Sequence, residues 1–145
     1  MNVATAQLHH IALTMPDVEA SVPWYEQVFG ITQQMDVPHK GGEARLLAND
    51  TFSLVIVLHR HDANSGETFL ESRTGLDHVG LGVPTRDDLV AWQAHLESQG
   101  VARAAAADRP LTQSAIADEP YGSVLVFRDP DNLQLELFAP PSTDH

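Results

Sequence analysis

The chain has 145 residues, 43% of them apolar, with 9 glycines, 9 prolines and no cysteine. A chain of this size and composition folds as one compact domain without staples, and the lack of cysteine excludes disulfide scaffolds, thiolate zinc sites, iron–sulfur clusters and cysteine nucleophiles. Eight Lys/Arg against twenty Asp/Glu give a net charge of −12; a phosphate backbone or anionic membrane face calls for clustered basic residues, so neither is an expected partner, and small molecules and cations remain. No run approaches the roughly 18 apolar residues of a membrane span. The start, Met1-Asn2-Val3-Ala4-Thr5-Ala6, has neither the basic nor the apolar segment of a signal peptide, which points to the cytoplasm. Eight histidines are the compositional oddity and the obvious pool of metal ligands.

The chain repeats itself once. Leu8-His9-His10-Ile11-Ala12-Leu13-Thr14-Met15-Pro16 matches Leu76-Asp77-His78-Val79-Gly80-Leu81-Gly82-Val83-Pro84 without a gap, and Trp24 falls on Trp92 in the same register. Each copy reads as strand, helix, then further strands, with module one at about 7–60, a connection at about 61–75 and module two at about 76–140.

In chain order, the first strand ends at Met15-Pro16, because the residue before a proline is disfavoured in helix. A turn is expected over Asp17–Ala20 and a helix over Ser21–Phe29, with Pro23 in its first turn where the missing N–H costs least. Strands follow at Ile31–Val37, Ala44–Leu47 and Phe52–His59, separated by Gly41-Gly42 and Asn49-Asp50. In module two, Thr85 caps a helix with Asp88 three residues on, Leu89, Trp92 and Leu96 share its face, and Gly100 closes it. Strands are expected at Val101–Ala106, Ser123–Phe127 and Leu133–Phe138. The stretch Asp108–Pro120 is expected to be a long irregular loop, and loops of that length are commonly functional.

Strand parity sorts the chemistry. His9, Ile11, Leu13 and Met15 share one face, whose large aliphatic side chains can pack under the module's own helix; Leu8, His10, Ala12 and Thr14 share the other. Val79, Leu81 and Val83 likewise oppose His78, Gly80 and Gly82. A face of one histidine followed by small residues leaves room for a ligand. Leu133, Leu135 and Leu137 oppose Gln134, Glu136 and Phe138, and a carboxylate among leucines is costly to bury unless paired or metal-bound. A lone strand histidine is more often a hydrogen-bonded core residue, and Glu136 alone could be a solvated edge residue. The equivalence of His10 and His78 under the repeat tips the balance toward a two-His, one-carboxylate site with metal positions left open.

The run His10-Ile-Ala-Leu with Pro16-Asp17-Val18, Ser21, Trp24-Tyr25 and Gly30, the second His78-Val-Gly-Leu, and the ending Val126-Phe127-Arg128-Asp129-Pro130-Asp131-Asn132-Leu-Gln-Leu-Glu136-Leu resemble the vicinal oxygen chelate superfamily, which includes glyoxalase I, fosfomycin- and bleomycin-resistance proteins and extradiol dioxygenases. The resemblance covers about residues 7–140. It implies an α+β fold of two βαβββ modules forming an incomplete barrel around a divalent metal, with His10, His78 and Glu136 as metal ligands. Members similar to glyoxalase I have a fourth ligand on the last strand of the first module. Aligning Leu54–Leu58 with Leu133–Leu137 puts Val57 there, and valine cannot ligate. Fosfomycin-modifying members need a cationic, hydroxyl-rich pocket, against which stands Ala12 two residues past the first histidine. Bleomycin-resistance proteins typically bind drug without a metal triad. The extradiol dioxygenases carry a further acid/base histidine, for which His59 is the candidate; the plainer reading of His59 is a strand-end histidine facing water.

The expected function is therefore a metal-dependent enzyme of isomerase, lyase, hydrolase or ring-cleaving oxygenase chemistry, acting on a small substrate that chelates one divalent ion, Fe(II), Mn(II), Ni(II), Co(II) or Zn(II), through neighbouring oxygens. Proton transfer falls to metal-bound water, His59 or Glu43. The competing class is a non-catalytic ligand-binding or antibiotic-sequestering protein of the same fold. Open sheet edges in two short modules, together with the habit of the superfamily, lead us to expect a homodimer.

Overall fold

A computed structural model describes residues 2–142. Among them the chain forms two helices and ten strands, and no helix is long and apolar enough to cross a membrane. It divides after Glu67 into two compact units.

Unit one runs β1 (Ile11–Thr14), α1 (Val18–Phe29), β2 (Thr32–His39), β3 (Gly42–Ala48) and β4 (Val55–His61). Its sheet has the order β1-β4-β3-β2, with β1 parallel to β4 and the other pairs antiparallel. Leu13, Met15, Leu47, Ile56 and Leu58 are buried from the sheet, and Val18, Val22, Tyr25 and Val28 from the helix that packs on it. Each such side chain contributes about 1.5–3 kcal/mol on burial. α1 starts three residues before the expected Ser21. Asp17 is its N-cap, accepting a bond from the Ala20 amide at 3.2 Å while the Ser21 hydroxyl donates to the Asp17 carbonyl at 3.0 Å. Pro23 therefore lies inside the helix; it is exposed, so water can satisfy the carbonyl its ring deprives of a partner. Gly30 ends α1 at φ 65°, a left-handed conformation glycine adopts without penalty.

β2 shifts register between Gln33 and Met35 and continues through Pro38 to His39, further than expected. β4 begins at Val55 rather than Phe52, because the Asn49 side chain accepts from the Leu54 amide at 3.0 Å and donates to Ser53 at 2.7 Å, holding Phe52 in a turn at φ 54°.

Unit two runs β5 (Val79–Gly82), α2 (Arg86–Ser98), β6 (Ala102–Arg103), β7 (Thr112–Gln113), β8 (Ala117–Glu119), β9 (Gly122–Arg128) and β10 (Gln134–Ala139). The order is β5-β10-β9-β7-β6, with β8 also paired to β9; β5 is parallel to β10 and β6 to β7. Neither sheet closes on itself, and the fold class is α+β. α2 opens with the expected capping box of Thr85 and Asp88 and buries Leu89 and Leu96, while Trp92 is only half-buried. Its C-cap is Gln99, with Gly100 following at φ 84°.

The expected strand Val101–Ala106 shrinks to two residues, and the stretch 108–120 contains β7 and β8. The cause is Gln113, fully buried, whose amide donates to the Gln93 and Val101 carbonyls at 3.0 and 3.1 Å and draws this stretch against β6. Arg128 clamps the loops. Its guanidinium donates to both Glu71 oxygens at 3.0 and 2.9 Å, to the Ala107 carbonyl at 2.7 Å and to the Asn132 carbonyl at 3.2 Å.

Candidate functional site

In unit two, Glu136 stands on β10 directly across from Gly80 of β5, while Leu135 and Leu137 are buried on the opposite face. His78 immediately precedes β5. Its Nε2 lies 3.4 Å from Glu136 Oε2, and its Nδ1 is 2.7 Å from Asp77 Oδ1. Both side chains are part-exposed, 39% for His78 and 22% for Glu136. A Cβ at Gly80 or Gly82 would meet nothing within 4 Å, so open space lies along this strand beside the pair. The donor chemistry fits a divalent transition metal: a carboxylate oxygen and an imidazole nitrogen, the ring oriented through its other nitrogen by a carboxylate, as ligating histidines usually are.

In unit one, His10 immediately precedes β1. Its Nδ1 is 2.9 Å from His9 Nδ1, leaving Nε2 as the available nitrogen. The neighbour preceding the histidine thus engages Nδ1 in both units, through His9 in one and Asp77 in the other. Sequence reasoning passed over these two residues, although they occupy the same place in the repeat. Among the described residues no group of three or more His, Asp or Glu side chains is placed to hold a metal ion; His78 and Glu136 are brought together as a pair.

Strand register identifies the counterpart of Glu136. Ala12 pairs with Val57 as Gly80 pairs with Glu136, and Ala12 and Gly80 match in the repeat. Unit one therefore carries a buried valine where unit two carries its carboxylate.

Two expectations need correction. Glu43 lies on the helix-bearing side of its sheet, in ion pairs with Arg60 at 3.1 Å and Arg45 at 3.2 Å. Bonds from Arg60 and then Arg45 hold its carboxyl below the usual range, so it is no proton acceptor for the face bearing His10. His59 is not a histidine facing water: it is half-buried, with Nδ1 3.2 Å from His39 Nε2. Burial first, then the neighbouring His39, His61 and His10, lower its pKa.

Comparison with known proteins places the chain. The sequence profile of the Glyoxalase/Bleomycin resistance protein/Dioxygenase superfamily matches residues 7–137. The uncharacterized protein YaeR of Escherichia coli (strain K12) is 30% identical over 135 residues, covering 91% of this chain and 95% of that protein. A glyoxylase/bleomycin resistance protein/dioxygenase domain from Frankia sp. EAN1pec superposes with a TM-score of 0.82 at 26% identity, covering 98% of this chain and 97% of that one. The fosfomycin resistance protein FosX from Listeria monocytogenes, crystallised with Mn(II) and sulfate, shares the fold with a TM-score of 0.62 at 16% identity, covering 95% of each chain. With its residues 7–137 matched, this chain belongs to the glyoxalase/bleomycin resistance protein/dioxygenase superfamily.

Proposed function

We propose that the protein is a metal-dependent enzyme of this superfamily, acting on a small substrate that offers two neighbouring oxygens, with His78, Glu136 and His10 as the metal ligands. The observation that carries it is the His78–Glu136 pair at 3.4 Å, its imidazole oriented by Asp77 and its strand left bare by Gly80 and Gly82. His10 is assigned by its equivalence to His78 in the repeat. A divalent ion at such a set supplies Lewis-acid stabilisation of charge developing on a substrate oxygen. The chain's own contributions are distinct. Asp77 fixes which ring nitrogen of His78 is offered, Glu136 supplies the anionic donor, and the two glycines leave space for a planar or branched small molecule. Val57, in the place of a fourth ligand, leaves a position for substrate. Isomerase, lyase and ring-cleaving dioxygenase chemistry all use this arrangement, and we propose that the enzyme works as a homodimer.

The test is metal uptake by the full chain. After reconstitution with Mn(II), elemental analysis should find about one ion per chain, and Glu136→Gln should lower it, since the only anionic ligand is lost. A folded chain that takes up no Mn(II), or an uptake indifferent to both Glu136→Gln and His78→Ala, sinks the enzyme reading and leaves a ligand-sequestering protein. Light scattering at micromolar concentration checks the dimer, which a monomer mass refutes.

A further inference from the structure

Histidine is concentrated a second time in unit one. His39 ends β2, and His59 and His61 lie on one face of β4. Their ring centroids are 5.1 Å apart for His39 and His59, 5.2 Å for His39 and His61, and 5.9 Å for His59 and His61. β3 runs between these strands, and register explains how the rings still meet: His39 pairs with Gly42, and Gly42 with His61. A Cβ at Gly42 would stand 2.7 Å from the His39 ring, so the bare glycine is what lets that ring cross over β3 toward β4.

We infer that His39 and His59, with His61 turning in as a third donor, form a second metal site that takes a borderline-soft divalent ion of the zinc class. The separation of His39 Nε2 and His59 Nδ1 is 3.2 Å, and two nitrogens bound to one tetrahedral zinc at about 2.0–2.1 Å lie about 3.3 Å apart. The donor set is all imidazole, which suits Zn(II), Cu(II) or Ni(II) better than Mn(II). His61 is exposed, and its ring stacks on His59 with an 11° interplanar angle. A bare imidazole–imidazole hydrogen bond accounts for the His39–His59 contact but leaves the third ring without a role. The site shares no residue with the His78–Glu136 pair.

The two sites are separated by disabling the first. Zn(II) is titrated calorimetrically into the full-length His78→Ala/Glu136→Gln chain at neutral pH. We expect about one zinc per chain to remain, and adding His39→Ala or His59→Ala to abolish it. No zinc uptake by the double variant, or uptake that survives both further substitutions, overturns the inference. Should a variant misfold, ring-nitrogen NMR of the wild-type chain decides: zinc must shift the His39 and His59 resonances, and shifts confined to other histidines refute the site. Mn(II) uptake by the wild type reads the other site separately.

Discussion

Replacing Arg128 by methionine tests whether the clamp in unit two is a structural necessity. The Arg128 side chain is 6% exposed and makes bonds to Glu71, Ala107 and Asn132. Methionine keeps most of the volume but strands two carbonyls and one carboxylate. Breaking a buried ion pair from one side costs about 3–5 kcal/mol; the Glu71 side chain is 35% exposed, so water recovers part of its loss. The net cost should be near the lower end, about 3 kcal/mol, or a fall in Tm of about 6–12 °C for a chain of this size. pH adds a second signature. The Arg128 bond, then Glu71's own backbone, lower the Glu71 pKa from 4.5 to about 2. A carboxyl depressed in the folded state stabilises it above the unfolded pKa, and that contribution fades as pH falls from 4.5 toward 2. Arg128→Met should lose most of this acid dependence, because the largest cause of the shift is gone. Arg128→Lys, which keeps charge but not the two-pronged geometry, should fall between. Urea melts of the three proteins from pH 7 to pH 3 provide the measurement. A loss under about 1 kcal/mol at pH 7, or an acid dependence equal to that of the wild type, would refute this account of the clamp.

Pro23→Ala should stabilise the chain by about 2 kcal/mol, since proline within a helix costs about 3 kcal/mol relative to alanine and the freed unfolded chain returns less than 1; urea melts showing destabilisation would mean that the ring packs usefully. Thr85→Ala removes the half of the α2 capping box in which the Thr85 hydroxyl accepts from the Asp88 amide and should cost about 1 kcal/mol by the same assay, an unchanged midpoint counting against the cap. Gly80→Ala should leave stability equal or raised by about 0.4–1 kcal/mol, because the new methyl meets only open space, while weakening Mn(II) uptake beside Glu136. A joint loss of stability would show that this space is filled.

What could be read from the residues followed their range in sequence. Parity and the repeat singled out His10, His78 and Glu136 as candidates, and the Thr85–Asp88 box located α2, because these readings depend on neighbours a few residues apart or on a second copy of the same run. Pro23 misled, since a proline inside a helix is costly unless its turn faces water, and exposure is a tertiary fact. The two-residue β6 and the ordered stretch after Asp108 depend on a single buried amide, Gln113, reaching back to Gln93 and Val101. The Arg128–Glu71 pair spans 57 residues. His39 meets His59 only because a hairpin register puts a glycine between their strands. None of these long-range encounters leaves a periodic trace.

The irregularity of β2 bears on how copies of this chain meet. β2 is the outermost strand of its sheet and mostly exposed, so it is the natural template for an incoming strand. Its register shift at Gln33/Met35 puts backbone donors and acceptors out of step, and Pro38 offers no N–H at all. Protection against edge-to-edge polymerisation is thus written into backbone geometry rather than into the net charge of −12. Salt should not remove it: at about 1 M, where charge is screened beyond about 3 Å, the folded chain should scatter light no more than at low salt. A dimer of this protein is accordingly not expected to continue its sheet through β2.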